Sequence, residues 1–333
     1  MKKESKQFKK MLERSKEILI LTHKGPDFDA FCSGLILKEY INTYYPKKSV
    51  TFKARQMPTQ NIPHMHEVEV VENIEMGKED LVILTDAGNW DMCLTHKDTI
   101  DQTEASLVIV DHHDTQSDTT DLTINNNMSS ATEQVLELCM DMRGSKFKIT
   151  EDISILGQIG IISDTGRFLY ENATPNTYEV MAKLRRVKDF DIEDFSYKNS
   201  KFPLETLSPL STYIKNLQTD GDLSYTYITK EEIDAGEFSK TSVNNAHQFV
   251  RDKIIRHIHG IHWGFVIKPS YYKDNIWQVS FRSSKGFQKV DGIAEKLGGG
   301  GHEYSAAARV EANDSNEALE VVLETIKSSL SPS

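Results

Sequence analysis

The sequence predicts an α/β protein whose first domain is built on a mostly parallel sheet and whose second, smaller domain is α+β. Two observations lead to this prediction. Apolar runs of strand length alternate with helical stretches through the first 190 residues, and strand-like runs with short connections dominate the C-terminal part. A polar stretch with Pro203 and Pro209 separates the two patterns. We therefore predict domains at residues 1–190 and 211–331, with a linker at 191–210.

Each element of the first domain is predicted from its own residue pattern. Glu4 to Ser15 has the spacing of an amphipathic helix, Glu17 to Thr22 is an apolar strand, and Phe31 to Tyr44 is a helix that ends before a proline. Further strands are predicted near Ser49–Phe52, Val68–Val71, Leu81–Asp86 and Leu107–Asp111, and further helices near Ser130–Met142, Asp152–Ser163 and Pro175–Arg186. This alternation is typical of a parallel sheet with helical crossovers.

The second domain is predicted to contain a hairpin and two helices. Strands are expected at Leu223–Ile228, Trp263–Lys268 and Trp277–Arg282, and residues 269–275 join the last two as a hairpin connection. A helix at Val290–Leu297 leads into four consecutive glycines and His302. An apolar run and a closing helix at Ser315–Ser328 complete this α+β domain.

Composition and charge exclude several classes of protein. The chain has 333 residues, of which 38% are hydrophobic and 27% charged, as is ordinary for globular proteins. No apolar run approaches the length of a membrane span and the amino end is charged, so we expect a cytoplasmic protein without a membrane partner. Cys32, Cys93 and Cys139 are widely spaced, which predicts buried, reduced thiols.

The formal net charge of −11 argues against a surface that binds long duplex nucleic acid. Nonspecific affinity for such a polyanion comes from rows of lysine and arginine. Any contact with phosphate must therefore be local, and divalent metal ions can supply the local positive charge.

Clusters of acidic and histidine residues follow several of the apolar runs. The clusters are His23-Lys24-Gly25-Pro26-Asp27-Phe28-Asp29, Asp86, Asp111-His112-His113 and Asp164. Three of them follow predicted strands, and the carboxyl ends of parallel strands meet at one edge of a sheet, where ligands bind. The recurrence predicts a metal site, although Asp27 and Asp29 could also cap the helix that follows them.

Four of these segments resemble, in order and spacing, the four motifs of the DHH phosphoesterase superfamily. The matching segments are His23-x-x-Pro26-Asp27-x-Asp29-Ala30, Asp86, Asp111-His112-His113 and Asp164-Thr165-Gly166-Arg167-Phe168. The second domain is similar to the DHHA1 domain of that superfamily through Val279-Ser280-Phe281-Arg282-Ser283-Ser284 and Gly298-Gly299-Gly300-Gly301-His302. The resemblance implies a DHH domain and a DHHA1 domain across a cleft.

The resemblance also implies a reaction and its residues. One metal ion would be held by His23, Asp27 and Asp86, and a second by Asp29, Asp86, His112 and Asp164. A hydroxide bridging the two ions would attack the phosphorus, with Asp86, Asp111, His112 and His113 as the catalytic set. Substrate would be bound by His113, Arg282, Gly299, Gly300, Gly301 and His302. The ligand types favour two Mn²⁺ ions, with Mg²⁺ or Co²⁺ as other options.

Short single-stranded RNA, linear or cyclic dinucleotides and 3′-phosphoadenosine 5′-phosphate are the substrates that the resemblance implies, and relatives of this kind often form homodimers. Two departures from the motifs stand out: Cys32 occupies a position where glycine is usual, and so does Ala308. An inorganic pyrophosphatase or polyphosphatase of the same superfamily, and a catalytically decayed nucleotide- or RNA-binding protein, are the alternatives. Tyr271-Tyr272 could stack on a base, or lie at a hairpin tip or subunit contact.

Overall fold

A computed structural model describes residues 2–100, 105–113, 120–271 and 273–330 of the chain. The polypeptide divides into two units, Met1–Asn199 and Ser200–Ser333. The boundary between them falls inside the stretch that the sequence marks as a linker.

The first unit contains the predicted parallel sheet. Six strands of its described residues pair in the order β3-β2-β1-β5-β7-β8, and every pair is parallel. The remaining two, β4 and β6, pair with each other. The elements are α1 (Lys2–Arg14), β1 (Glu17–Leu21), α2 (Phe28–Tyr44), β2 (Ser49–Ala54), β3 (Val68–Val70), β4 (Glu75–Met76), β5 (Leu81–Thr85), α3 (Trp90–Cys93), β6 (Thr99–Ile100), β7 (Ser106–Val110), β8 (Leu122–Ile124), α4 (Ala131–Arg143), α5 (Glu151–Asp164), α6 (Pro175–Val187) and α7 (Ile192–Asn199).

Side chains of the parallel sheet enter separate apolar clusters on its two faces. In β1, Ile18 and Ile20 pack with the residues of α2, α4 and α5, whereas Leu19 and Leu21 enter a smaller cluster that includes Cys93. Successive side chains of a strand point to opposite faces, so a strand buried on both sides is apolar throughout. This explains why these strands are uninterrupted apolar runs in the sequence.

Close packing of α5 against α4 depends on a glycine. A Cβ at Gly160 would lie 2.1 Å from the Thr132 hydroxyl oxygen, so any larger residue would push the two helices apart. Because α5 ends at Asp164 and Thr132 lies in the first turn of α4, this contact fixes the position of Asp164 relative to the start of α4.

The stretch at 191–210 is mostly helical rather than an open linker. It contains α7, a short 3-10 helix at Leu204–Thr206, and the beginning of the next helix at Leu207. Pro203 precedes the 3-10 helix and Pro209 lies in the first helical turn. A missing N–H costs nothing in a first turn, so these prolines mark helix starts and not an irregular connection.

The second unit is a mixed six-stranded sheet with helices on both faces. In its described residues the strand order is β13-β14-β12-β11-β10-β9, and only β10 and β11 are parallel. The elements are α8 (Leu207–Lys215), β9 (Gln218–Asp220), β10 (Leu223–Tyr227), α9 (Lys230–Ala235), α10 (Lys240–Lys253), β11 (Trp263–Pro269), β12 (Ile276–Ser283), α11 (Asp291–Lys296), β13 (Gly300–His302), β14 (Ser305–Glu311) and α12 (Ser315–Leu330). The predicted hairpin corresponds to the antiparallel pair β11 and β12.

Cys32, Cys93 and Cys139 are buried and form no disulfide with one another. Among the helices of the described residues, none combines the length and the apolar composition that crossing a bilayer requires.

Candidate metal centre and phosphate-binding residues

The sheet of the first unit brings the predicted metal ligands to one edge. His23 follows β1, Asp86 follows β5 and His112 follows β7, and these three strands are neighbours in the sheet. Asp27 and Asp29 lie at the start of α2, and Asp164 is the last residue of α5. Residues far apart in sequence therefore meet because parallel strands end at the same edge.

The ligands form two groups that Asp86 links. In the described residues, His23, Asp27 and Asp86 form one group and Asp29, His112 and Asp164 another, and the donor atoms within each group lie within 4.8 Å of one another. Asp86 Oδ2 lies 3.5 Å from His23 Nε2, and Asp86 Oδ1 lies 3.5 Å from His112 Nε2. One carboxylate thus faces both groups, as a bridging ligand must.

The second group is centred on His112. Its Nε2 atom lies 3.5 Å from Asp164 Oδ2 and 3.9 Å from Asp29 Oδ2. Two atoms that bind one divalent ion at about 2.1 Å are themselves about 3 Å apart. The spacing is close to that of a ligand shell.

Asp86 has a backbone conformation that non-glycine residues rarely adopt. Its φ is 55°, in the left-handed region, and its N–H donates to the Val110 carbonyl at 3.0 Å. Such a conformation has an energetic cost and persists where the surroundings enforce it, often at functional sites. Here it turns the chain at the strand end where the linking carboxylate sits.

Both acidic residues of the first motif also cap helices, but not the same helix. Asp27 Oδ1 accepts hydrogen bonds from the N–H groups of Asp29 and Ala30 and caps α2. Asp29 instead accepts from the N–H groups of Ala131 at 2.7 Å and Thr132 at 2.9 Å, at the start of α4. The caps fix both carboxylates and leave each oxygen with further lone pairs for a cation.

Crowded carboxylates shift the ionisation of the whole cluster. Burial and the charge of Asp86 raise the pKa of Asp29 well above its ordinary value, and burial raises the pKa of Asp164 to about 6. Burial opposes the charged form of His112, but the Asp86 carboxylate 3.5 Å away and the charges of Asp29 and Asp164 prevail and raise its pKa to about 9. The cluster therefore has more negative charge than the protein alone can balance.

The donor set fits divalent cations. Within the part of the chain that the structure describes, Asp86 Oδ1, Asp111 Oδ2 and His112 Nε2 are buried and have no hydrogen-bond partner. Buried polar atoms are normally satisfied, so orphaned acceptors that converge on one point indicate an external ligand. Carboxylate oxygens with two imidazoles and no thiolate are typical of manganese or magnesium sites and not of a structural zinc site.

Hydrogen bonds to its ring and to its backbone hold His113 beside this cluster. Its Nδ1 atom lies 2.9 Å from Asp111 Oδ1, and the hydrogen bond to Asp111 raises the pKa of His113. Its backbone carbonyl accepts from the Asn125 carboxamide at 2.7 Å. The ring is therefore oriented by Asp111 and remains partly exposed.

Sequence reasoning missed Asn172, which holds Asp164 in place. Its Nδ2 atom donates to the Ser129 carbonyl at 2.8 Å and lies 3.2 Å from the Asp164 carbonyl and 3.4 Å from Asp164 Oδ2. Asn172 lies beyond the recognised motif, in a loop, and no local pattern marks it. The Ser129 carbonyl that it binds directly precedes Ser130, whose side chain caps α4 by accepting from the Glu133 N–H.

Arg282 of the second unit is mostly buried and paired. Its Nε atom lies 3.3 Å from Asp252 Oδ1, and a terminal nitrogen donates to the Phe281 carbonyl at 2.8 Å. The same carboxylate accepts two hydrogen bonds from Arg251. Two guanidinium groups thus share one carboxylate, which leaves a local excess of positive charge suited to phosphate.

The glycine run has a structural role that changes one of our predictions. A Cβ at Gly299 would lie 2.1 Å from the Ala307 carbonyl oxygen, and the Gly299 N–H donates to the Ala294 carbonyl at 2.8 Å. The resemblance implies that Gly299 contacts substrate, but its N–H is already bonded where α11 ends and is not free for a phosphate. Gly300, Gly301 and the exposed His302 form β13, which pairs with β14.

Among the described histidines and tyrosines of the second unit, none belongs to a comparable group of metal-binding side chains. His257 and His259 lie between α10 and β11, outside any strand. Tyr271 lies under two ammonium groups, those of Lys240 and Lys268, each 5.4 Å from its ring centre. Tyr272 lies outside the described residues.

Comparison with known proteins agrees with this geometry. Residues 17–161 match the model of the DHH family N-terminal domain, and residues 248–328 match the DHHA1 domain. The fold and the site define a metal-dependent hydrolase that acts on phosphoester bonds. The chain belongs to the DHH/DHHA1 phosphoesterase family.

Several relatives align along most of their length. The bifunctional oligoribonuclease and PAP phosphatase NrnA of Bacillus subtilis (strain 168) is 28% identical over 312 residues, which cover 93% of this chain and 94% of the relative. The protein of the same name from Mycoplasma pneumoniae is 28% identical over 307 residues, which cover 88% and 87%. The crystal structure of an exopolyphosphatase-related protein from Bacteroides fragilis has the same fold, with a TM-score of 0.82 at 19% identity over 98% of this chain and 96% of the other.

Proposed function

We propose that this protein is a manganese-dependent phosphoesterase that hydrolyses short oligoribonucleotides or linear and cyclic dinucleotides to mononucleotides, and that also dephosphorylates 3′-phosphoadenosine 5′-phosphate. The observation that carries the proposal is the pair of ligand groups linked by Asp86. The names of the relatives that align with nearly the whole chain support the substrate class.

The ligand groups have the composition that a two-metal hydrolase needs. When bound, two divalent ions neutralise charge on the phosphoryl oxygens and activate water. His23, Asp27 and Asp86 would hold one ion, and Asp29, Asp86, His112 and Asp164 the other. The helix caps on Asp27 and Asp29 keep these carboxylates in place while substrate binds and leaves.

We assign His113 the role of proton or hydrogen-bond donor to the leaving group. Its partner Asp111 holds Nδ1, so Nε2 is the atom that can donate a proton or hydrogen bond to the departing oxygen. The pKa of His113 is raised by the hydrogen bond to Asp111, which favours the protonated ring that such a donor requires. No serine or cysteine nucleophile is needed.

Residues of the second unit would bind substrate without taking part in bond breaking. Arg282 can grip a phosphate with two parallel hydrogen bonds, and His302, Gly300 and Gly301 offer further contacts next to it in the sheet. The net charge of −11 leaves such contacts local, which favours substrates of a few nucleotides over long duplexes.

A turnover profile tests the proposal. Purified full-length protein with Mn²⁺ should release mononucleotides from labelled RNAs of two to five nucleotides and phosphate from 3′-phosphoadenosine 5′-phosphate. It should lose activity with a chelator and act poorly on long RNA. Absence of product from all of these substrates would refute it.

Two other outcomes would point to the alternatives. Faster turnover of inorganic pyrophosphate or polyphosphate than of any nucleotide would favour a pyrophosphatase or polyphosphatase. Tight nucleotide binding without turnover, in the presence of bound metal, would favour a nucleotide- or RNA-binding protein.

A further inference from the structure

A cavity of about 300 Å³ lies directly beside the metal ligands of the first unit. Asp27 lines it and also belongs to the first ligand group, and Ser163 lines it next to Asp164. Any phosphate bound at the metal centre would therefore lie close to this cavity. Its volume is at the lower end of the range for small-molecule pockets.

Half of the residues that line the cavity are apolar, and two of them are aromatic. Phe28 and Phe31 are almost completely buried, whereas Met57 is 41% exposed at the rim. Pro26 and Pro58 complete the apolar part. Flat apolar walls suit a planar ring, and a methionine side chain adapts to the ring that it covers.

A few polar side chains are placed among the apolar walls. Gln56, Thr59 and Asn199 line the cavity, and the Gln56 carboxamide nitrogen lies 3.4 Å from the Pro26 carbonyl. Amide and hydroxyl groups both donate and accept hydrogen bonds, so they can satisfy the edge of a nucleobase without demanding a charged ligand. Inorganic phosphate has no group that would use such walls.

We propose that this cavity binds the nucleobase of the nucleotide whose phosphate lies at the metal centre, with Met57 and Gln56 as residues that select for a base. This inference rests on the proposed function and adds to it the site that would distinguish a nucleotide from a base-free phosphate. The metal centre by itself recognises only the phosphate.

The surroundings limit this subsite to one nucleoside. Thr59 also lines the adjoining pocket of about 720 Å³, whose walls include Asp189, Asp191 and Asp194. Its two lysines, Lys188 and Lys198, are already paired with carboxylates. A second phosphate entering this acidic pocket would be repelled, so the chain of nucleotides cannot continue in that direction.

Equilibrium binding tests the base subsite without depending on turnover. Wild-type protein with Mn²⁺ should bind adenosine 5′-monophosphate at least about tenfold more tightly than ribose 5-phosphate, because an apolar pocket contributes only when it is filled. Met57→Ala and Gln56→Ala should reduce that ratio severalfold and leave ribose 5-phosphate affinity unchanged. Val70→Ala, at an apolar side chain that is 47% exposed and does not line the cavity, is the matched control.

Turnover gives a second readout. The KM for 3′-phosphoadenosine 5′-phosphate should rise in Met57→Ala, whereas the KM for the same bisphosphate on a base-free sugar should not. Equal binding of the two monophosphates by the wild type, or equal loss for both in the Met57 variant, would overturn the base subsite. Failure of the proposed function would look different: no nucleotide would be hydrolysed, yet the binding ratio and its dependence on Met57 would still decide the inference.

Discussion

The metal centre of the first unit and the arginine site of the second unit handle buried charge in opposite ways. Asp86, Asp111 and His112 have buried atoms without any hydrogen-bond partner. Arg282, in contrast, is paired with Asp252 and with a backbone carbonyl. The first site has buried polar atoms that a cation could satisfy, whereas Arg282 is already paired within the protein.

The difference supports the proposed division of roles, in which the first site performs the chemistry and the second binds substrate. Buried carboxylates without hydrogen-bond partners destabilise the folded state, and proteins retain them where a bound cation compensates for that loss of stability. A pre-oriented arginine loses little on binding phosphate and contributes equally to the ground state and the transition state. Mutations in the two units should therefore affect different kinetic parameters.

The largest effect is expected for Asp86→Ala. Loss of the linking carboxylate should remove bound metal and lower kcat by more than about 100-fold, since residues that merely support a ligand already cost 10- to 100-fold. Metal content after dialysis and steady-state rates measure this. Asp86→Asn tolerates the left-handed backbone and serves as the fold control; wild-type metal content in both variants would contradict the assignment.

A smaller loss, about tenfold or more in metal affinity, is expected for Asn172→Ala. The side chain donates to Asp164 but touches neither substrate nor metal in the proposed site, so excess Mn²⁺ should restore most of kcat. A Mn²⁺ titration of activity measures the shift. Loss of kcat that saturating metal does not restore would mean that Asn172 has another role.

Arg282→Ala should change KM more than kcat. Removal of a charged hydrogen-bond donor costs about 1.5 to 3 kcal/mol, which corresponds to about tenfold or more in KM. Arg282→Lys should be intermediate because lysine cannot form the two parallel bonds of arginine. Arg14→Ala, at an exposed position on α1, is the control; an unchanged KM for Arg282→Ala would remove this residue from the substrate site.

The second unit should also respond to acid, through His247. Burial and the charge of Lys268 lower the pKa of His247 to about 3, and its Nε2 lies 3.0 Å from the Ser280 hydroxyl. Because the unfolded chain binds this proton near the ordinary pKa of 6.5, stability is present above that pH and is lost as pH falls toward 3.

The expected loss is at most about 1.4 kcal/mol per pH unit between 6.5 and 4. His247→Gln should flatten the pH dependence of the free energy of unfolding in this window. The exposed His259→Gln provides the comparison, and an identical slope in wild type and His247→Gln would show that the buried imidazole does not titrate on unfolding.

The ligand motifs were predictable because each follows a recognisable apolar run. The positions of His23, Asp86 and His112 at strand ends follow from the alternation of strands and helices, and the geometry brings them together. Asn172 was not predictable, since an asparagine in a loop has many structural uses. The boundary between the units lies within 191–210, where we expected it, but the helical conformation of that segment was not predictable, because prolines in a first helical turn look the same in sequence as prolines in an irregular connection.

Asn172 is a site residue that the sequence did not reveal, whereas Gly299 is a predicted site residue with a structural role. The resemblance implies a substrate contact for Gly299, yet the close approach of Ala307 explains the glycine, and its N–H is bonded at the end of α11. A glycine is required equally for ligand access and for tight packing, and only the neighbouring strand distinguishes the two.

By itself, the sequence determined the α/β class, the order of the motifs and the chemical type of the ligands, because hydrophobic periodicity and residue chemistry are local properties. Tertiary structure alone decided that Asp86 faces both ligand groups, that Asp29 caps α4 and not its own helix, and that a cavity opens beside Asp27. These facts depend on distances between residues as many as about a hundred positions apart, which packing sets and no local pattern encodes.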